Sequence, residues 1–175
     1  MRILVAVFCC LFVATSLHGQ KKKREPLTEA QVEKIAEAGI DPNARVGLYT
    51  QFLNEHADAL KALSARAKTE ARASKLNDEL EDFSALQDEL SDNLDLFADR
   101  KADIRKSLKS LTEAAPRWQA ILRALIGDPV FDVARKEAIE SGQDLLGDAQ
   151  RLLQEQTEYF KQHPDEAGQD RWEPK

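Results

Sequence analysis

Between Leu76 and Leu111 the large apolar side chains recur in a strict alternation of four and three residues. Leu76, Leu80, Phe83, Leu90, Leu94, Phe97, Ile104, Leu108 and Leu111 take nine of the eleven seam positions, and Gln87 and Lys101 take the other two. Such a repeat is the coiled-coil-type heptad of helices that lie side by side. Only Leu86 and Leu96 depart from it. Read as one helix, the segment spans about 54 Å at ~1.5 Å per residue, too long for the inside of a compact globule. The pattern therefore predicts an all-α, elongated antiparallel helical bundle with this segment as its spine.

The flanking sequence supplies the neighbours. Thr28 and Gln31 form a capping box that opens a first helix, with Val32, Ile35 and Ala36 as its apolar stripe and Gly39 as its left-handed end. Asp41 and Pro42 start a second, whose seam reads Val46, Tyr49, Leu53, His56, Leu60, Leu63 and Ala67, broadened by Phe52 and Ala59. Between residues 68 and 75 the apolar residues shrink to alanine, and a turn near Ser74 would fold the spine back on the second helix. A helix unbroken from 42 to 111 is the alternative. Ser84, Ser91 and Ala98 form a small flank that allows close approach, and Gln87 and Lys101 read as polar register markers.

Pro116 is expected to stop the spine, because the residue before a proline is pushed out of helical geometry. A short amphipathic helix with Trp118, Ile121, Leu122, Leu125 and Ile126 then caps the open end of the bundle, and Gly127 closes it. Asp128 and Pro129 start the last long helix. Its doublets Ala138-Ile139, Leu145-Leu146, Leu152-Leu153 and Tyr159-Phe160 give a stripe wide enough to touch two helices, with Gly142, Ala149 and Gln156 between them. Gly142 marks either a close crossing or a break after Ser141. Three long helices and two short ones are thus expected over residues 28–162, followed by a polar, disordered tail over 163–175.

Residues 1–19 read as a signal peptide: Arg2 precedes the apolar run Ile3 to Ala14, and a cut follows Gly19 or Ser16. A dozen apolar residues fall short of the ~20 that cross a bilayer, so no transmembrane segment is expected in the mature chain. Lys21, Lys22, Lys23 and Arg24, in a basic disordered linker over 20–27, put the charge on the wrong side for export and would suit an uncleaved anchor, which is the competing reading. These four residues are also a candidate contact for anionic lipid. Cys9 and Cys10 lie inside the signal, leaving the mature chain no thiol, and no Asn begins an Asn-x-Ser/Thr sequon. Together these features predict an exported protein, periplasmic or extracellular, of a bacterial envelope. The formal net charge is -6, and setting aside Arg2 and Lys21–Arg24 leaves -11 on the remainder. An acidic body disfavours nucleic acid and favours a basic protein, peptide or cation as partner. Self-association through residual seam surface stays open.

Chemistry has few vehicles. The residues three before His56 and His163 are Leu53 and Phe160, so the Glu-x-x-His spacing of di-iron bundles is missing, as are a Gly-x-Ser-x-Gly elbow and a phosphate-cradling glycine loop. No catalytic residue, cofactor site or metal site is therefore assigned. His56, on the seam, reads as a hydrogen-bonded interior histidine. The candidate partner-binding face is the acidic stripe Asp78, Glu81, Asp88, Asp92, Asp95 and Asp99 opposite the spine's seam; the bland reading of such a stripe is a solvated surface. A regular helix cannot wrap oxygen ligands around calcium as a glycine-turn loop does.

Leu27-Thr28-Glu29-Ala30-Gln31 resembles the LTxxQ signature of the CpxP and Spy type of small periplasmic helical proteins, and Leu111-Thr112 repeats only its beginning. That resemblance implies an ATP-independent chaperone or envelope-stress sensor that transiently binds unfolded proteins. The residue pattern as a whole leads instead to a non-catalytic structural or interaction protein.

Overall fold

A computed structural model of the chain describes residues 25–168. The segment read as a signal peptide, both cysteines, Lys21 to Arg24 and Trp172 lie outside them. The described residues form five helices: α1 (Glu29–Glu37), α2 (Pro42–Ser64), α3 (Glu70–Asp99), α4 (Arg105–Ala124) and α5 (Asp132–Gln162), with a 3-10 turn at Pro164–Glu166. The architecture is an all-helical bundle, with one short helix and four long ones.

Side-chain bonds give the directions. Tyr49 meets Glu89 and His56 meets Glu79, so α2 and α3 run antiparallel. Gln119 meets Ile139 while Ile104 meets Gln156, so α4 and α5 do likewise. Asn43 reaches Ser107 and Asn54 reaches Trp118, which places α2 and α4 side by side in the same direction. The molecule is therefore two helical hairpins laid against each other, in the order α2, α3, α5, α4 around the core. The diagonal pairs do not pack directly among the described residues. They meet only across the centre, where Phe83 of α3 and Trp118 of α4 stand edge to face with ring centroids 6.1 Å apart.

α1 opens as expected: Thr28 and Gln31 cap each other's backbone amides, and Gly39 ends the helix at φ 59°. The residues of the LTxxQ resemblance are thus engaged in a helix cap. Only Ile35 of the α1 stripe is buried, and Val32 is exposed. Asp41 caps α2 by accepting from the amides of Asn43 and Ala44.

The turn into α3 lies at residues 65–69 and not at Ser74. Thr69 is the N-cap, its hydroxyl accepting from the Arg72 amide, and the Arg72 guanidinium donates back to the carbonyls of Leu63 and Ser64. The alanines that follow belong to α3, and Ala73 is buried.

The spine is not continuous. Residues 100–104 break it, with Lys101 at φ 57°, so the seam residues 76–97 lie on α3, Leu108 and Leu111 lie on α4, and Ile104 is the N-cap of α4. A straight helix would carry Ile104, Leu108 and Leu111 past the ends of α2 and α5; folding back buries all three within the chain. Lys101 is exposed. Leu86, off the seam, is fully buried because α3 faces both α2 and α5, whereas Leu96 is exposed.

Pro116 does not end a helix; it sits inside α4. An interior proline costs about 3 kcal/mol. Pro116 faces solvent, and Leu111, Ala115, Trp118 and Leu122 bury one stripe straight across it. At ~1.5–3 kcal/mol per large buried side chain the stripe outweighs the proline. The short helix expected after Pro116 is the second half of α4, and Trp118 is a core residue, not an end cap. α5 runs unbroken through Gly142. His163 to Gly168 turn back on the body, where the Gly168 amide donates to Asp103 at 2.9 Å.

Candidate functional site

At about 100° per residue, the six acids of the stripe fall within an arc of roughly 100° on α3. Asp78, Asp88, Asp92, Asp95 and Asp99 are exposed, and Glu81 is half-buried, accepting from Asn77 Nδ2 at 2.9 Å. The face exists because α3 gives its apolar side to α2 and α5 and, among the described residues, has no further helix to cover. Asp88 and Asp92, and again Asp95 and Asp99, stand four residues apart, where like charges repel by about 0.2–0.5 kcal/mol per pair. No basic residue occupies the last turn of α3, although a helix C-terminus favours one.

Around the edge of this face the α2–α3 contact carries two polar bridges. The Tyr49 hydroxyl donates to Glu89 Oε1 at 2.7 Å, and His56 Nδ1 lies 2.7 Å from Glu79 Oε1. Burial, and then the Glu89 carboxylate beside it, push the Tyr49 phenol well above its usual range. His56 is thus hydrogen-bonded and mostly buried, as its place on the seam suggests.

Two amide side chains missed as functional elements by pattern reading organise the crossover between hairpins. Asn43 Nδ2 donates to the Asp103 carbonyl at 2.7 Å, while its Oδ1 accepts from the Ser107 amide and hydroxyl at 3.2 and 3.0 Å. Gln156 Nε2 donates to the Ala102 carbonyl and its Oε1 accepts from the Ile104 amide, both at 3.0 Å. Asp103 holds Arg105 through both carboxylate oxygens at 2.8 and 2.7 Å. That guanidinium keeps the Asp103 carboxyl below its ordinary range despite partial burial. Gln156, between two apolar doublets, gave a signal as a polar break in an otherwise small-residue column; Asn43 gave none, since it reads as an ordinary first-turn residue.

Deeper in the bundle Gln87 and Gln119 converge on Gly142. The Gln119 Nε2 donates to the Ile139 carbonyl at 3.1 Å, whereas neither polar atom of Gln87 has a partner among the described residues. Open grooves run along the helix pairs. One of about 590 Å³ between α4 and α5 is lined by Thr112, Gln150, Leu153, Gln154, Thr157 and Glu158. Among the described residues no three His, Cys, Asp or Glu side chains are grouped to hold a metal ion, and no helix is long and apolar enough to cross a membrane. No family model, curated protein or solved structure matches the chain.

Proposed function

We propose that this is a non-catalytic, exported helical-bundle protein of the bacterial envelope that acts by protein contact, presenting the outer face of α3 to a basic partner. The observation that carries the reading is the solvent exposure of Asp78, Asp88, Asp92, Asp95 and Asp99 along one face. Their spacing opposes helix stability, so the stripe serves something other than the fold. The apolar run Ile3 to Ala14, with Arg2 before it, supports export.

Cross-linking in the native envelope, run with wild type and with an Asp88→Asn/Asp92→Asn/Asp95→Asn/Asp99→Asn variant, tests this. A protein captured by wild type and lost with the helical, folded variant is the expected result. Equal capture by both removes the acidic face from the mechanism, and suppression of aggregation of an unfolded substrate by both would favour a chaperone role instead.

A further inference from the structure

We propose that residues 100–104 are a hinge, and that two copies of this chain exchange their α4–α5 hairpins when the hinge straightens into a continuous α3–α4 helix. The partner is a second copy of the chain, and each half of the dimer is a bundle of α2–α3 from one subunit and α4–α5 from the other.

Four observations converge on it. The heptad stays in phase across the break, from Phe97 through position 101 to Ile104, Leu108 and Leu111, although a loop places no demand on phase. The hinge residues Arg100, Lys101, Ala102, Asp103 and Ile104 include no glycine or proline, yet Lys101 is held at φ 57°, a conformation that favours glycine. The charges at the two helix ends are those of a helix interior. Asp95 and Asp99 crowd the C-terminus of α3 with no basic residue in its last turn, and Arg105 and Lys106 open α4 with no acid in its first. Both arrangements oppose the helix dipole, and a continuous helix removes the opposition. Finally, α3 and α4 are diagonal and do not pack directly, so straightening the hinge separates no helix pair that cannot re-form between copies. Phe83 would meet Trp118 of the partner subunit in the same geometry.

Asn43 and Gln156 are the latch. In a continuous helix the Ser107 amide would donate to the Asp103 carbonyl. In the bundle the Asn43 side chain stands between those two groups and satisfies both. Gln156 satisfies the Ala102 carbonyl and the Ile104 amide, which in a continuous helix would pair with the Lys106 amide and the Arg100 carbonyl. The closed chain thus supplies from α2 and α5 the hydrogen bonds that the open hinge would supply itself. Hinge loops that are short and conformationally strained are where such exchange occurs.

The test uses the full chain with Cys9→Ser and Cys10→Ser, carrying Ala85→Cys and Ala120→Cys labelled as a donor–acceptor pair. These positions lie at similar heights on the diagonal helices of the closed bundle, but about 52 Å apart on a continuous helix. Labelled chain is refolded at high concentration with a large excess of unlabelled chain, and monomer and dimer are separated. A dimer that has lost intrachain energy transfer is expected. The clamp variant Asn43→Ala/Gln156→Ala is expected to tighten dimerisation by about tenfold or more, since only the closed form loses hydrogen bonds. Lys101→Gly is expected to weaken it by a similar factor, because glycine suits the turn and disfavours helix. Monomer alone for wild type at every concentration, or a dimer with full intrachain transfer, overturns the proposal. Should the clamp variant fail to fold, wild type and Lys101→Gly still decide between these outcomes.

Discussion

Gly142 is buried where two amides need its missing side chain. A Cβ there would stand 2.4 Å from Gln119 Nε2 and 2.5 Å from Gln87 Nε2. Those are the far ends of flexible side chains, but both residues are nearly fully buried, so they have little room to withdraw. Gly142→Ala gains about 1 kcal/mol of helix propensity and meets an overpacking cost of ~1–3 kcal/mol. A net loss is expected in chemical denaturation, and it should shrink in a Gln87→Ala background, where one obstacle is gone; an unchanged loss would mean the two sites are independent. The Tyr49 phenol makes a second prediction at this scale. Its folded pKa is raised above the ordinary phenol value of 10.0, so the folded state holds the proton more tightly than the unfolded one. Stability from this group is present below about pH 10 and falls as pH rises beyond it. Tyr49→Phe should flatten that alkaline decline while giving up about 1 kcal/mol near neutrality with the Glu89 bond. Denaturation midpoints measured from pH 8 to 11.5 check both, and an equal alkaline slope in the variant would assign the decline elsewhere.

At the scale of elements, burial outranks punctuation. Pro116 reads as a stop and is not one, because a solvent-facing proline interrupts a single backbone bond while the buried stripe of α4 continues through it. The spine reads as one helix and is two. Its period was legible, and every apolar seam residue is buried, but period cannot say where a chain reverses when the two halves share a phase. The reversal is hydrogen-bonded by residues far away in sequence, Asn43 and Gln156, which no local window contains. The turn before α3 did carry a local signal: Thr69 followed by Glu70 is an N-cap with an acid in the first turn. The exposure of the acidic stripe followed from the same period as the seam, and was legible for that reason. Asp103 is the titratable centre of the crossover. Its pKa is lowered from the ordinary carboxyl value of 3.8, first by the Arg105 hydrogen bond, so its contribution is present above about pH 4 and is lost as pH falls through the folded value. Asp103→Asn should therefore lower stability at pH 7 by about 1–3 kcal/mol and show a shallower acid decline than wild type. Urea midpoints from pH 2 to 7 measure this, and parallel acid profiles would contradict it.

For the molecule as a whole, the sequence specified stripes without specifying which stripe meets which. Each hairpin has a buried face completed only by the other: Phe83 of the first touches Trp118 of the second, and Trp118 Nε1 donates to Asn54 Oδ1 of the first at 2.8 Å. Neither hairpin can bury its apolar stripe alone, and a helix stripped of its packing face is marginal in water. Docking and helix formation should then be a single cooperative event. In a Trp172→Phe background, Trp118 emission reports docking while circular dichroism reports helix, and the two denaturation curves are expected to coincide. Asn54→Ala should move both together, by about 1–3 kcal/mol, because it leaves the indole N–H of an almost fully buried Trp118 without its acceptor. A tryptophan transition that precedes the loss of helix would instead show hairpins that persist undocked, and would locate the stability of the protein within each hairpin and not between them.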